Sequence, residues 1–412
     1  FMSESKVQFQ HPYAVLWTIC FIALLSVAGV SLPYPVLAPL FAASELNAFN
    51  NWLGLDPTLL LGIALAANPA GILLGSAVLG ALSDQYGRKQ VLALALIVAV
   101  LGYLLSALAI SHQQYLWFVL ARFLTGLCEG SVSICRAVAA DLHPQIDRNK
   151  AIAWMNSALY AAWLVGPLLG GMTMHLGAHV PFALAAIAVL PCLLLVQVFL
   201  PNAKPEKPKL ALWQNISQHN SLRLLRQPEL KWVIWAQFIY TLGLNAFYEF
   251  YPLWLVEAEQ FSGYEIGLIT AALCLVMTFV SAVLMAKLGS RVSPLPAAVV
   301  AALCFSGCLA LLPWLDGVPA WIWLVCCGLP IPMVSAWFQV YCTATFAHFG
   351  NGRVMGLLTV LMCAGNLVIA LVGAAIALAG AQYTLWLGAA CAALAAWILH
   401  KQSQQPLSVE HT

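Results

Sequence analysis

Three ionisable residues fall seven apart in one apolar run: Arg122, Glu129 and Arg136, within 115–140. A seven-residue step rotates a helix by only about 20°, so the three line one face of one helix. A carboxyl in a low-dielectric setting can exchange a proton near neutral pH, and a neighbouring guanidinium tunes that exchange. Glu129 is therefore a candidate proton carrier. The Arg136 guanidinium suits bidentate binding of a carboxylate or phosphate, and Glu129 beside it is a second candidate solute contact. Each ionisable group inside a membrane helix costs about 2.5–3.5 kcal/mol on insertion scales, so three on one stripe require a wet cavity or partners. The competing reading is that Arg122 and Glu129 only hold neighbouring helices together.

A second constellation is the polar loop Gly80 to Gln90, GALSDQYGRKQ, pinched between apolar runs. Gly87 permits a tight turn, and Asp84 can pair with Arg88 where the loop meets lipid headgroups. Elsewhere, polar and aromatic residues recur at helical spacing. Pro33, Tyr34, Pro35 and Pro39 free backbone groups, which is tolerated where a helix lines a cavity. Asn156, Tyr160 and Trp163 share a face, as do Gln237, Thr241, Asn245 and Tyr248, and also Thr359, Cys363 and Asn366. Such stripes serve either interhelical hydrogen bonding or a solute site, and their convergence, rich in Tyr and Trp, favours a site. Glu249 is the only acid well inside the second half's spans, Glu265 standing at the start of one. It reads as a further proton carrier or as a hydrated group at the external mouth.

The elements that must position these residues follow from composition. With 62% hydrophobic and 8% charged residues and a mean hydropathy of +0.89, the chain cannot hide its apolar surface in a water-soluble core. At about twenty apolar residues per span, spans fall near 14–40, 58–80, 91–111, 115–140, 150–173, 180–200, 230–256, 264–286, 295–313, 319–342, 353–379 and 381–400. The expected fold is all-α and membrane-embedded: a six-helix bundle over 1–200, a cytoplasmic linker over 201–229 with an amphipathic helix around Leu210 to Leu225, and a second six-helix bundle over 230–412. The polar residues before Tyr13 lead into an apolar run too long for a signal h-region, so no cleavable signal peptide is expected, and Phe1 ahead of Met2 reads as a cloning remnant.

Twelve spans put fifteen of the seventeen Lys and Arg residues on the face shared by the termini, and the other two, Arg122 and Arg136, inside the fourth span. Because Lys and Arg collect in cytoplasmic loops, both termini are expected inside. The opposite face holds Glu45, Asp56, Glu257, Glu259 and Asp316. A net charge of +2 argues against a nucleic-acid partner. The twelve cysteines all lie in apolar runs and read as small hydrophobes. Two halves around a linker suggest parallel repeats with a solute site between them. A faint copy of the polar loop occurs at Lys287 to Arg291, with Gly289 in place and Ala286 where the acid would be.

The loop Asp84, Gly87, Arg88, Lys89 after the second of twelve spans resembles the loop joining the second and third helices of the major facilitator superfamily. The stretch Arg122 to Leu142 resembles the fourth helix of its twelve-span drug:proton antiporters, which include the tetracycline exporters. Arg122 and Gly126 match the motif those proteins use in proton coupling, and Asp141 matches the acid at its cytoplasmic end. The resemblance implies a cytoplasmic gate of Asp84, Gly87, Arg88 and Asp141, with Arg88 bridging the two acids. Gly166, Pro167, Gly170 and Gly171 are similar to the antiporter motif of the fifth helix. Glu129 and Arg136 stand where those exporters tend to have small residues, so a preference for bulky drugs does not carry over.

No HExxH, His/Cys cluster or P-loop occurs, so neither an enzyme nor an ATP-driven pump is expected. No cofactor or metal is expected. The expected function is a secondary transporter of a small organic solute driven by protons, first as an efflux antiporter. The alternative is transport, in either direction, of an anionic or zwitterionic solute such as a carboxylate-rich siderophore. Its partners are the solute, protons and the lipid bilayer, and it is expected to be a monomer in a bacterial inner membrane.

Overall fold

The structure is a computed structural model that describes residues 10–42, 45–142, 144–202, 221–284, 292–349 and 351–404. The described residues form helices joined by short turns. In the first half these are α1 (Pro12–Ser31), α2 (Tyr34–Phe41), α3 (Pro57–Tyr86), α4 (Arg88–Ser111), α5 (Tyr115–Glu129), α6 (Val132–Asp141), α7 (Arg148–Met174) and α8 (Val180–Phe199). In the second they are α9 (Lys231–Glu259), α10 (Gly263–Phe279), α11 (Pro294–Leu311), α12 (Gly317–Cys326), α13 (Pro330–Thr345), α14 (Asn351–Ala377) and α15 (Ala381–Ser403). Ten of the resulting spans are long and apolar enough to cross a membrane. The seventeen-residue α10, extended by a π-turn at Val280–Leu284, and the polar-striped α9 complete twelve.

Three spans are broken, and each break has a local cause. Pro33 has no N–H, so α1 ends at Ser31 and α2 starts at Tyr34, with Leu32 N–H still bonded to Ala28 C=O at 2.9 Å. The continuous fourth helix expected over 115–140 is interrupted at Gly130–Ser131. There Ser131 N–H bonds Cys128 C=O at 2.9 Å and Ser133 N–H bonds Gly130 C=O at 3.1 Å, a tighter i→i+3 pattern that keeps the backbone satisfied. The tenth span breaks at Cys327–Leu329, just ahead of Pro330.

The chain divides into two compact units, 1–55 with 67–219, and 56–66 with 220–412. Helix α3 thus begins in the second unit, where Gly62 lies so close to Ala370 and Ala374 of α14 that a Cβ would overlap them. Within the first unit α1 packs on α7, and α4 packs on α5 and α8. Within the second, α9 packs on α14, and α11 on α13 and α15. These are the same pairings six spans later, the pattern of a parallel repeat.

Helix ends are tied by charged side chains. Glu257 at the end of α9 accepts the Ala381 N–H that opens α15, at 3.0 Å. Glu259 accepts the Gly317 N–H at 2.9 Å and the Trp321 indole N–H at 3.2 Å. These two acids, placed in an external loop by the sequence, therefore lie on a helix that runs through Glu259 and cap two others, as carboxylates at helix N-termini do. Most of the expected linker helix and the copied loop at Lys287 to Arg291 fall outside the described residues, and Ser221–Arg226 is a 3-10 turn.

Glycines set the closest approach in the first unit. A Cβ on Gly71 or Gly75 of α3 would overlap backbone of Phe123 and Leu127, and one on Gly126 or Gly130 of α5 and its break would overlap backbone at Asn68 and Gly75. Two G-x-x-x-G pairs thus face each other, the packing that small residues allow between membrane helices. Gly126→Leu is expected to lower stability by about 1–3 kcal/mol or more by overpacking, read as a lower melting temperature and reduced yield of monodisperse protein. Gly307→Ala, where a Cβ meets nothing within 4 Å, should behave as wild type.

Candidate functional site

The close approach of α3 to α5 delivers Asn68 to the fourth span. Its amide Nδ2 donates to Glu129 Oε2 at 2.8 Å, and Tyr103 of α4 donates its hydroxyl to Glu129 Oε1 at 3.0 Å. Arg122 sits two turns before Glu129 on α5 and donates to the Gly29 carbonyl at 3.4 Å and to Thr125 Oγ1 at 3.5 Å. Glu129, Arg122, Asn68 and Tyr103 are all buried. The Tyr103 hydroxyl occupies the space a side chain at position 29 would need, so Gly29 is what lets the phenol reach the carboxylate. Beside the carboxylate, Ser26, Tyr103, Cys128 and Ser131 line a cavity of about 10 Å³, space for about one water.

Arg136 does not join this group. The break at Gly130–Ser131 separates it from Glu129, and it is exposed where Arg122 and Glu129 are buried. The single charged stripe expected of a straight helix is therefore corrected to a buried pair, Arg122 and Glu129, and an exposed Arg136 without an ion pair among the described residues.

At the polar loop Gly87 adopts φ +97°, a conformation that favours glycine, and it starts α4 so that Arg88 meets the end of α6. Arg88 pairs with Asp141 at 3.0 Å. Lys89 donates to the Gln197 carbonyl of α8 at 2.7 Å. The Asp84 side chain lies outside the described residues, as do those of Asn156 and Tyr160. Tyr34 stacks on Trp163, with ring centroids 6.5 Å apart and planes 14° from parallel. Gly166 and Gly170 of α7 lie against Ser31 and Leu32 at the α1 break, where side chains would clash.

In the second unit Gln237 donates to Thr241 at 3.3 Å. Both line a cavity of about 60 Å³ with Tyr240, Ser335, Phe338 and Gln339, of which the last four were not among the expected site residues. Asn366 donates to Asn245 at 3.4 Å, and Tyr248 donates to the Met277 sulfur at 3.2 Å. Glu249 is 2% exposed, which places it in the interior of the unit and removes the reading of a hydrated mouth residue.

A family model, Major Facilitator Superfamily, matches residues 19–370. The chain belongs to the Major Facilitator Superfamily. It is a membrane transporter, not an enzyme. It is 26% identical to the tetracycline resistance protein, class H, of Pasteurella multocida over 348 residues, covering 82% of this chain and 83% of that protein. It is 35% identical to the staphyloferrin B transporter of Staphylococcus aureus over 161 residues, 39% of this chain and 36% of that protein. Among solved structures, the xylose transporter XylE from E. coli superposes with a TM-score of 0.71 at 15% identity, covering 98% of this chain and 99% of that one. That match confirms the fold.

Sequence reasoning missed Asn68, Tyr103 and Gly29. The signal for the first two was available, since a lone Asn or Tyr inside an apolar span must find a hydrogen-bond partner; which partner depends on packing. Tyr103→Phe keeps the ring and removes one donor to a charged acceptor, a bond worth about 1.5–3 kcal/mol. Solute transport by reconstituted Tyr103→Phe should fall about tenfold or more, and an unchanged rate would show that the phenol only packs.

Proposed function

We propose that this transporter exports a small organic solute in exchange for protons, with Glu129 as the group that takes and releases the proton. The observation that carries this reading is the buried carboxylate held by Asn68 and Tyr103, near a buried arginine and beside a water-sized cavity. An amide can serve both protonation states of its partner. Its Nδ2 donates to the carboxylate, and after a flip its Oδ1 accepts from the carboxylic acid. In the present pose the Asn68 Oδ1 is buried without a partner among the described residues. Arg122 supplies a nearby positive charge that favours proton release. Solute contacts are assigned to Tyr34, Trp163, Asn156 and Tyr160 in the first unit and to Gln237, Thr241, Asn245, Tyr248 and Asn366 in the second.

The efflux direction is supported by similarity to a tetracycline resistance protein over four fifths of this chain. The Arg88–Asp141 pair, with Asp84 and Gly87, acts as the cytoplasmic gate in this reading. The termini face the cytoplasm of a bacterial inner membrane, in keeping with the Lys and Arg on that face. A second reading concerns the solute: a carboxylate-rich siderophore. It is favoured by the exposed Arg136, which has no ion pair among the described residues and suits bidentate carboxylate binding, and by 35% identity to the staphyloferrin B transporter over 39% of this chain.

The test is transport into everted membrane vesicles under an imposed pH gradient, with tetracycline and with a citrate-based hydroxycarboxylate as substrates. Proton-driven uptake of either, abolished in Glu129→Gln, is expected; uptake that persists in Glu129→Gln removes Glu129 as the proton carrier. Uptake of the hydroxycarboxylate that falls about tenfold or more in Arg136→Ala selects the siderophore reading. Tetracycline uptake indifferent to Arg136→Ala selects the drug reading.

The gate makes a separate prediction. Exposed ion pairs contribute about 0–1 kcal/mol, so Asp141→Asn should leave the melting temperature almost unchanged. It should still alter labelling of engineered cysteines on the cytoplasmic side, and the reversed pair Arg88→Asp with Asp141→Arg should restore the labelling pattern.

A further inference from the structure

The tenth span breaks at Cys327–Leu329, six spans after the fourth breaks at Gly130–Ser131, so the two breaks stand at repeat-related places. The first break lies beside Glu129; the second lies beside a pair of thiols. The Trp323 indole N–H of α12 donates to the Cys308 carbonyl of α11 at 2.9 Å. Cys327 follows Trp323 by four residues and so shares its face. The Cys327 thiol donates to the Trp323 carbonyl at 3.3 Å and lies within hydrogen-bonding reach of the Cys308 thiol. Two contacts from one face thus hold Cys327 against Cys308.

The two thiols differ in access. Val300, Leu303 and Leu311 of α11 are exposed, Cys304 is exposed and Cys308 half-exposed. These residues form one helical stripe, and Gly307 within it leaves open space around its Cα. In a membrane span an exposed apolar stripe faces lipid. Cys308 is therefore open to molecules dissolved in the hydrocarbon, whereas Cys327 is fully buried. An S–S bond of about 2.05 Å requires the sulfurs to move closer. The break supplies backbone that can give, since Gly328 N–H to Val325 C=O and Leu329 N–H to Cys326 C=O, both 3.0 Å, are i→i+3 bonds outside the regular ladder.

We propose that Cys308 and Cys327 form a redox-modification site. Cys308 is the thiol oxidised by a hydroperoxide dissolved in the lipid, and Cys327 is the thiol that resolves it, fastening the break of the tenth span to α11. In the first step the Cys308 sulfur takes the terminal peroxide oxygen, the O–O bond breaks, and the hydroperoxide leaves as an alcohol. Cys308 is then a sulfenic acid, which condenses with a neighbouring thiol. In the second step the Cys327 sulfur attacks the Cys308 sulfur, the S–S bond forms, the S–O bond breaks, and the thiol proton leaves with the hydroxyl as water. Two thiols and one hydroperoxide thus give one disulfide, one alcohol and one water, with two electrons passing from the thiols to the peroxide. The site does not depend on the proton chemistry assigned to Glu129.

The test is peptide mapping of the purified full chain in lipid vesicles after treatment with cumene hydroperoxide. Remaining thiols are alkylated, the protein is digested without reduction, and the peptides are read by mass spectrometry. A peptide pair joined through Cys308 and Cys327 is expected, and it should be lost on treatment with dithiothreitol. In Cys327→Ser the joined pair should disappear and a sulfenic acid at Cys308 should be trapped by dimedone. In Cys308→Ser, Cys327 should stay a free thiol. A wild-type protein that keeps both thiols reduced would overturn the proposal, as would joining through Cys304 or Cys326 in place of this pair. Oxidation of Cys327 in Cys308→Ser would overturn the assignment of Cys308 as the first thiol. Should either variant not fold, the wild-type map still decides.

Discussion

Hydrocarbon offers no hydrogen bonds, so every polar group this chain carries into the bilayer must find its partner within the protein. The helices answer that demand for the backbone, and their interruptions show how strictly it is met. At Leu32 the ladder closes one residue before Pro33, and at Gly130–Ser131 it tightens to i→i+3 bonds. At two helix starts, Glu257 and Glu259 satisfy the first N–H groups of α15 and α12. On the outside the demand disappears, and Leu194, Val198 and Trp235 stand 69%, 70% and 59% exposed. In water such apolar surface would drive aggregation; against lipid it costs nothing.

The same constraint distinguishes the two buried carboxylates. Glu129 is met by two donors from two other helices, and its arginine neighbour by a backbone carbonyl and a threonine. Glu249 is met by none among the described residues. A satisfied carboxylate with an adaptable amide beside it suits proton exchange. The first arrangement exists only because Gly71, Gly75, Gly126 and Gly130 let α3 and α5 approach at backbone distance, and because Gly29 leaves room for the Tyr103 hydroxyl. Small residues here act on chemistry at one remove, by deciding which polar side chains can meet.

The Arg88–Asp141 pair belongs to a different regime. It is partly exposed, where screening by water and salt leaves little net stabilisation. Its value is geometric: it joins the start of α4 to the end of α6, and Gly87 is the residue whose backbone conformation aims it. A weak contact of this kind can be broken and remade, which a buried network such as that around Glu129 cannot do without leaving charges unpaired.

The class of the protein, its twelve spans, the family and the positions of the polar loop were all legible in the sequence, because hydropathy, span length and loop motifs are local properties read a few residues at a time. Pro33 announced its break. Gly130 did not, since a glycine in a membrane helix serves packing as readily as interruption, and so the charged stripe was expected to run straight through to Arg136. Asn68 and Tyr103 were visible as isolated polar residues in apolar runs, but their common partner was not. The burial of Glu249, the meeting of Asn245 with Asn366 and the stacking of Tyr34 on Trp163 are likewise products of which helix lies against which. Those adjacencies join residues up to 129 positions apart, Tyr34 and Trp163 among them, and no local pattern encodes them; the tertiary structure alone decides which polar groups are satisfied.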